Sequence, residues 1–177
     1  MPKIIEGLRE KIMETGKQIL NGGDYAAFSV RGVAERCGVA VGTIYNYFPS
    51  KDMLIAEIIA EDWRHSLSTL DEDIRSSDSL GSALYGIALR LREFTERYID
   101  FWTSAAGTGN PYTPGGKWHA LFRGMISERV LESYSRHGAC IKKETASVLS
   151  EMLISLGIHC DIDLPSAKEL LDRLSQE

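Results

Sequence analysis

The chain is short of the residues that build disulfide scaffolds, membrane spans and sheets. It has three cysteines, Cys37, Cys140 and Cys160. The number is odd and the spacing fits no disulfide framework, so they read as free thiols of a reducing, cytoplasmic compartment. No apolar run approaches the ~18 residues that would cross a bilayer, so no membrane partner is expected. The opening MPKIIEGLREKIMETGKQIL is charged throughout and lacks the apolar stretch of a secretory leader. Proline and glycine are scarce inside the long segments, and no alternating β-branched run occurs. Positive charge is also scarce, with a net charge of −5, which by itself argues against a nucleic-acid partner.

The charge is unevenly placed. Residues 1–51 hold seven Lys or Arg against five Asp or Glu, and the rest of the chain holds thirteen against twenty. A mildly basic head precedes an acidic body, which permits a nucleic-acid-facing head. With 177 residues there is room for a small domain fused to a larger one.

Apolar periodicity predicts an all-α chain. A first helix is expected over 3–21 on Ile5, Leu8, Ile12 and Ile19. Asn21-Gly22-Gly23-Asp24 ends it. Ser29 is placed to cap a second helix over 30–37, Gly38-Val39 turns the chain, and 40–47 forms a third. Pro49 breaks that helix, and Ser50 can cap a fourth over 51–75. A fifth over 80–102 repeats Leu80, Leu84, Ile87, Leu91, Phe94, Tyr98 and Phe101 at steps of four and three. Helices over 118–137, 142–158 and 166–175 complete the series. The Gly/Pro-rich connection over 103–117 is long enough to suggest function.

The stretch SVRGVAERCGVAVGTIYNYFPSKDML, Ser29 to Leu54, has the requirements of a helix-turn-helix. Two helices can cross closely only over a small residue and a glycine turn, with apolar residues pinning both to a third helix. Ala34 and Gly38 supply the first two. Val33, Cys37, Val39, Ile44 and either Tyr47 or Phe48 supply the third, with Cys37 as a small apolar filler. Ala40, Val41, Gly42, Thr43, Tyr45 and Asn46 are then left for the free face. Thr43 and Asn46 can hydrogen-bond to phosphates or base edges, and Val41 can touch a thymine methyl. Tyr45 and Tyr47 offer phenol donors, Ser29 and Arg31 open the first helix of the pair, and Lys51 adds a cation. Read without this partner, Tyr47 belongs to the core, and Arg31 and Lys51 are solvated surface charges.

This stretch resembles the DNA-binding segment of the TetR family of bacterial transcription regulators. The likeness rests on Val33-Ala34, Gly38-Val39, Gly42-Thr43-Ile44-Tyr45, Tyr47-Phe48, Ser50-Lys51 and Leu54, and covers residues 28–54. Cys37 and Gly16 stand where alanine is usual. The resemblance implies an all-helical homodimer with a helix-turn-helix domain over 1–51 and a ligand-binding and dimerisation domain over 52–177. It implies phosphate contacts from Thr43, Tyr45, Tyr47 and Lys51, and a groove-facing surface of Val41, Gly42 and Asn46. The function so implied is a ligand-responsive repressor binding a palindromic double-stranded DNA operator, with an unknown small-molecule effector and no cofactor.

Other motifs carry less. The run ending at Gly116-Lys117 has Pro111 and Trp118 where a phosphate-binding loop needs Gly and Ser or Thr, and GTGNPY lacks the last glycine of a dinucleotide fingerprint. No catalytic constellation stands out, so no enzyme is expected. Trp63, Phe94, Tyr98, Trp102 and Phe122 are candidates to line an effector pocket. The apolar surface of 118–137 and 142–158 exceeds what one protomer needs. Met125, Ile126, Val130, Tyr134, Leu149, Met152, Leu153 and Leu156 are therefore candidates for a four-helix dimer interface. His137 and Cys140, and then His159, Cys160 and Asp161, flank the 142–158 helix. They leave open a metal- or thiol-sensing regulator, or an enzyme or metal-binding protein carrying a DNA-binding head. Neither cluster has metal-ligand spacing, and His137 also suits a helix C-terminus.

Overall fold

A computed structural model describes residues 6–21, 28–98 and 117–174. The described residues hold eight helices and no strand. Ile5, Phe101, Trp102 and the stretch 103–116 lie outside them. The chain divides into two compact units, Met1–His65 and Ser66–Glu177.

The first unit contains α1 (Leu8–Asn21), α2 (Val30–Cys37), α3 (Val41–Tyr47) and the first half of α4 (Lys51–Ser76). Helix α1 buries Leu8, Ile12, Met13, Gly16 and Leu20. Ile19, expected on that face, is only half-buried. Gly16 lies against α4, where a Cβ would fall 2.5 Å from Ile58 Cδ1. Alanine at this position requires Ile58 to move, which is a physical reason for glycine here.

Both expected caps form. Ser29 Oγ accepts from the Gly32 amide at 3.1 Å, and Ser50 Oγ accepts from the Met53 amide at 3.1 Å. Such caps contribute about 1 kcal/mol each. Gly38 takes a left-handed φ of 72°. Its amide donates to Glu35 O, and the Val39 amide donates to Ala34 O, which closes α2 in the manner of a glycine C-cap. Leu54, Ile55, Ile58 and Ile59 of α4 are buried. The compact unit accordingly runs past the 51/52 boundary expected from sequence.

The second unit contains the rest of α4, α5 (Leu80–Arg97), α6 (Lys117–Arg136), α7 (Lys143–Ile158) and α8 (Leu164–Leu174). Helix α5 packs against α7 and α8, and α6 packs against α7. The heptad-like stripe of α5 is buried from Leu80 through Leu84, Ile87, Leu91 and Phe94 to Tyr98. Burial of each large side chain contributes about 2 kcal/mol. The α5–α7 crossing is close because Gly157 faces Leu91, and a Cβ there would fall 3.2 Å from the Leu91 carbonyl carbon.

Arg92 is buried on α5 and holds the end of α7. Its guanidinium donates to the carbonyls of Leu156 (2.5 Å), His159 (2.6 Å), Ile162 (3.1 Å), Gly157 (3.3 Å) and Cys160 (3.4 Å). A helix end leaves its last carbonyls without intrahelical partners, and a guanidinium has five N–H donors in a fixed fork. One side chain thus satisfies most of a helix terminus.

Candidate nucleic-acid interface

The α2–turn–α3 unit sorts its residues as a helix-turn-helix must. Val33 and Ile44 are fully buried, and Ala34, Cys37 and Phe48 nearly so. They pin both helices to the head's core. The short helix α3 is left with one exposed face. Val41 is 37% and Tyr45 46% exposed. Gly42 and Asn46 are exposed as well, and Thr43 and Tyr47 are half-buried. Around Gly42 nothing lies within 4 Å of where a Cβ would be, so the backbone there is open to close approach. Tyr45 together with Val41 and Asn46 gives this face a mixed apolar and hydrogen-bonding character suited to a groove.

The flanks carry the cations. Arg31 on α2 is exposed. Lys51 Nζ sits 5.7 Å from the centre of the Phe28 ring, a cation–π distance that restrains the side chain at the start of α4. Ser29 Oγ accepts the α2 cap bond, which leaves its hydroxyl proton available as a donor. Arg36, in the last turn of α2, is exposed and has no ion pair among the described residues. The basic residues of α1 make contacts within the head. Arg9 pairs with Glu57 and stacks over Phe48, and Lys17 pairs with the buried Asp62.

Comparison with known proteins fits this geometry. The sequence pattern of the bacterial regulatory proteins of the tetR family matches residues 12–58, the segment from α1 into α4. Over that segment the chain is similar to the family. A stretch of 55 residues is 42% identical to the HTH-type transcriptional repressor KstR of Rhodococcus jostii, covering 31% of this chain and 26% of that protein. The chain therefore spans about a quarter of the length of that relative. The HTH-type transcriptional regulator UidR of Escherichia coli is 22% identical over 160 residues, 88% of this chain and 81% of UidR. A transcriptional regulator from Saccharomonospora viridis, solved in complex with choline, superposes with a TM-score of 0.63 at 14% identity, over 98% of this chain and 97% of that one. At that identity the likeness is one of fold.

The body distributes the remaining candidates less tidily. Phe94 and Tyr98 are each 3% exposed and meet with ring centres 5.1 Å apart. Phe122 is half-buried. Trp63 is half-buried too, but belongs to the first unit. Trp102 lies outside the described residues. An open groove of about 480 Å³ is lined elsewhere, by residues that include Tyr85, Leu89, Glu96, Cys160 and Ile162. Trp63, Phe94, Tyr98 and Phe122 are not among the described residues that line it.

Sequence reasoning missed a half-buried polar cluster between α6 and α7. His119 Nε2 lies 2.9 Å from both oxygens of Glu151, and Arg123 Nη1 donates to the same carboxylate at 2.8 Å. Burial pushes the Glu151 carboxyl up, but the hydrogen bonds and charges of His119 and Arg123 outweigh it and hold the carboxyl below its ordinary range. The buried His119 Nδ1 has no partner. His119 and Arg123 sit four apart on one face of α6, and that spacing was the available signal.

The eight expected interface residues divide. Ile126, Val130 and Leu153 have no exposed surface in a single chain. They are core residues of the protomer, because α6 and α7 pack on each other through them, and they have no face left for a partner. Met125, Tyr134, Leu149, Met152 and Leu156 are half-buried. Burial also raises the Tyr134 phenol above its ordinary value. The most exposed apolar residues on these helices are Leu121, at 52%, and Val148, at 69%. The His137 ring nitrogens face carbonyls, Ser133 O at 2.8 Å and Ser77 O at 3.3 Å. Cys140 and Cys160 are exposed thiols. Among the described residues no three metal-ligating side chains gather, and no helix is long and apolar enough to cross a membrane.

Proposed function

We propose that this transcription regulator is a cytoplasmic, homodimeric, effector-responsive repressor with no enzymatic activity, and that it binds a palindromic operator. The observation that carries the proposal is the exposed face of α3. Val41, Gly42, Tyr45 and Asn46 lie open while Ile44 and Phe48 anchor the helix from behind. Ser29, Arg31, Thr43, Tyr47 and Lys51 serve as backbone contacts flanking that face. The first unit is assigned to DNA, and the second to effector binding and dimerisation.

Two copies pair through the outward faces of α6 and α7, with Leu121 and Val148 at the centre and Met125, Leu149 and Met152 beside them. Such pairing presents two recognition helices to half-sites roughly one turn (~35 Å) apart. The effector is assigned to the body; the Saccharomonospora viridis regulator, solved in complex with choline, supports a small-molecule ligand for this fold. Phe94, Tyr98 and Phe122 supply apolar walls for it. Helix α4 carries Lys51 at its first turn and the buried Leu67, Leu70 and Ile74 at its other end, so it can convey the response. That response requires the effector to bind two head spacings with different affinity.

Size-exclusion chromatography together with fluorescence anisotropy on a selected palindromic duplex tests the reading. A dimer with salt-sensitive, sequence-selective binding is expected. A monomer, or binding indifferent to sequence, overturns it.

A further inference from the structure

Helix α2 ends where the helix-turn-helix turns, and its last carbonyls point at no backbone donor of their own helix. The Val39 amide serves Ala34 O and the Gly38 amide serves Glu35 O. The next partner comes from a different helix. Lys11 of α1 donates its ammonium to Cys37 O at 3.1 Å. The Cys37 side chain returns to the same turn of α1, its thiol 3.5 Å from Thr15 Oγ1 and 3.9 Å from Lys11 O. Among the described residues no carboxylate lies within ion-pair distance of Lys11. Its charge is therefore directed at the negative end of the α2 dipole, where a cation stabilises a helix terminus.

The consequence is positional. Cys37 is the residue immediately before Gly38, and Gly38-Val39 leads straight into α3. Fixing Cys37 O fixes the exit of α2, and with it the direction in which α3 leaves the turn. A lysine on the first helix of a basic head otherwise reads as a phosphate contact, but the other α1 cations also pair within the head, Arg9 with Glu57 and Lys17 with Asp62.

We propose that Lys11 is a positioning residue for the recognition helix: its ammonium caps the C-terminus of α2 and fixes the turn that aims α3, without touching DNA. This rests on the DNA-binding reading above, and the test separates the two. Lys11→Met keeps the aliphatic stem and removes the donor; Lys11→Arg keeps a cationic donor. Two readouts apply to the full-length protein. The first is amide hydrogen exchange at Gly38 and Val39 without DNA, where Lys11→Met should exchange about three- to tenfold faster and Lys11→Arg should stay near wild type. The second is anisotropy on a palindromic duplex recovered by selection with the wild-type protein, and on a mixed-sequence duplex, over a range of salt. Lys11→Met should weaken the selected duplex about three- to tenfold, leave the mixed duplex within about twofold, and keep the wild-type salt slope. A slope flattened by about 0.9 per head marks a lost phosphate contact and overturns the proposal. Unchanged exchange at Gly38 and Val39 also overturns it. If the wild-type protein selects no duplex, the DNA-binding reading fails, and the exchange result alone decides the role of Lys11.

Discussion

The exposed face of α3 and the polar contacts of the body are set by residues of different separation, and they are legible to different degrees for that reason. In the head, the residues that set the recognition surface lie within 27 positions of one another. Ser29 caps α2, Gly38 turns it, Ile44 and Phe48 anchor α3, and what is left over faces out. In the body, Arg92 reaches carbonyls 64 to 70 residues away, and His119 meets Glu151 across 32. A function written in local spacing can be read from a sequence. One assembled by helix packing cannot.

The comparison can be broken first at Arg92. Arg92→Met removes the donors to five carbonyls at the end of α7 and should destabilise the body by about 3 kcal/mol. Denaturant unfolding with separate probes in head and body reads this as loss of the body transition at unchanged head stability. Equal loss in both would show that the two units do not unfold separately.

Next in size is the recognition face. Tyr45→Ala should weaken operator binding at least about tenfold, or ~1.4 kcal/mol, with unchanged helicity and dimer content. Tyr45 is 46% exposed and packs into no core, so a stability loss instead would reassign it. The body's outward face comes third. Leu121→Glu together with Val148→Glu should shift the dimer dissociation constant up by about tenfold or more in sedimentation, since a carboxylate buried in an apolar interface is costly. Monomer stability should hardly change, both side chains being exposed already.

The smallest expected effect lies in the α6–α7 cluster. The Glu151 carboxyl sits below its ordinary value, so the stability it contributes is present above its unfolded value of about 4.5 and is lost as pH falls through the depressed folded value. With a side chain 38% exposed, screening keeps this contribution below about 1 kcal/mol. Glu151→Gln should therefore lower the melting temperature slightly at pH 7, and the gap to wild type should close in acid. A gap that widened below pH 4 would contradict the assignment.

Much of the fold was legible. The caps at Ser29 and Ser50, the turn at Gly38 and the α5 stripe follow from residue type and period, and the structure has each of them. The face of α3 was legible by subtraction, since every apolar position needed by the core was accounted for. The outward faces of α6 and α7 were only half legible. A helix that is apolar on more than one side spends one side on its own protomer, and periodicity does not say which. Ile126, Val130 and Leu153 went to the core, while Leu121 and Val148 were left outside. The cluster at Glu151 was hidden because its members come from two helices and no motif links them. Lys11 was hidden for the opposite reason: lysine in a basic head already had an obvious reading, and its bond to Cys37 O depends on how α1 crosses α2.

Selection from a random duplex pool with the full chain tests the central claim most directly. The account predicts enrichment of a palindrome with half-sites about one helical turn apart, bound by a dimer and lost in Tyr45→Ala. Enrichment of no sequence, or of a single asymmetric site bound by a monomer, would contradict it.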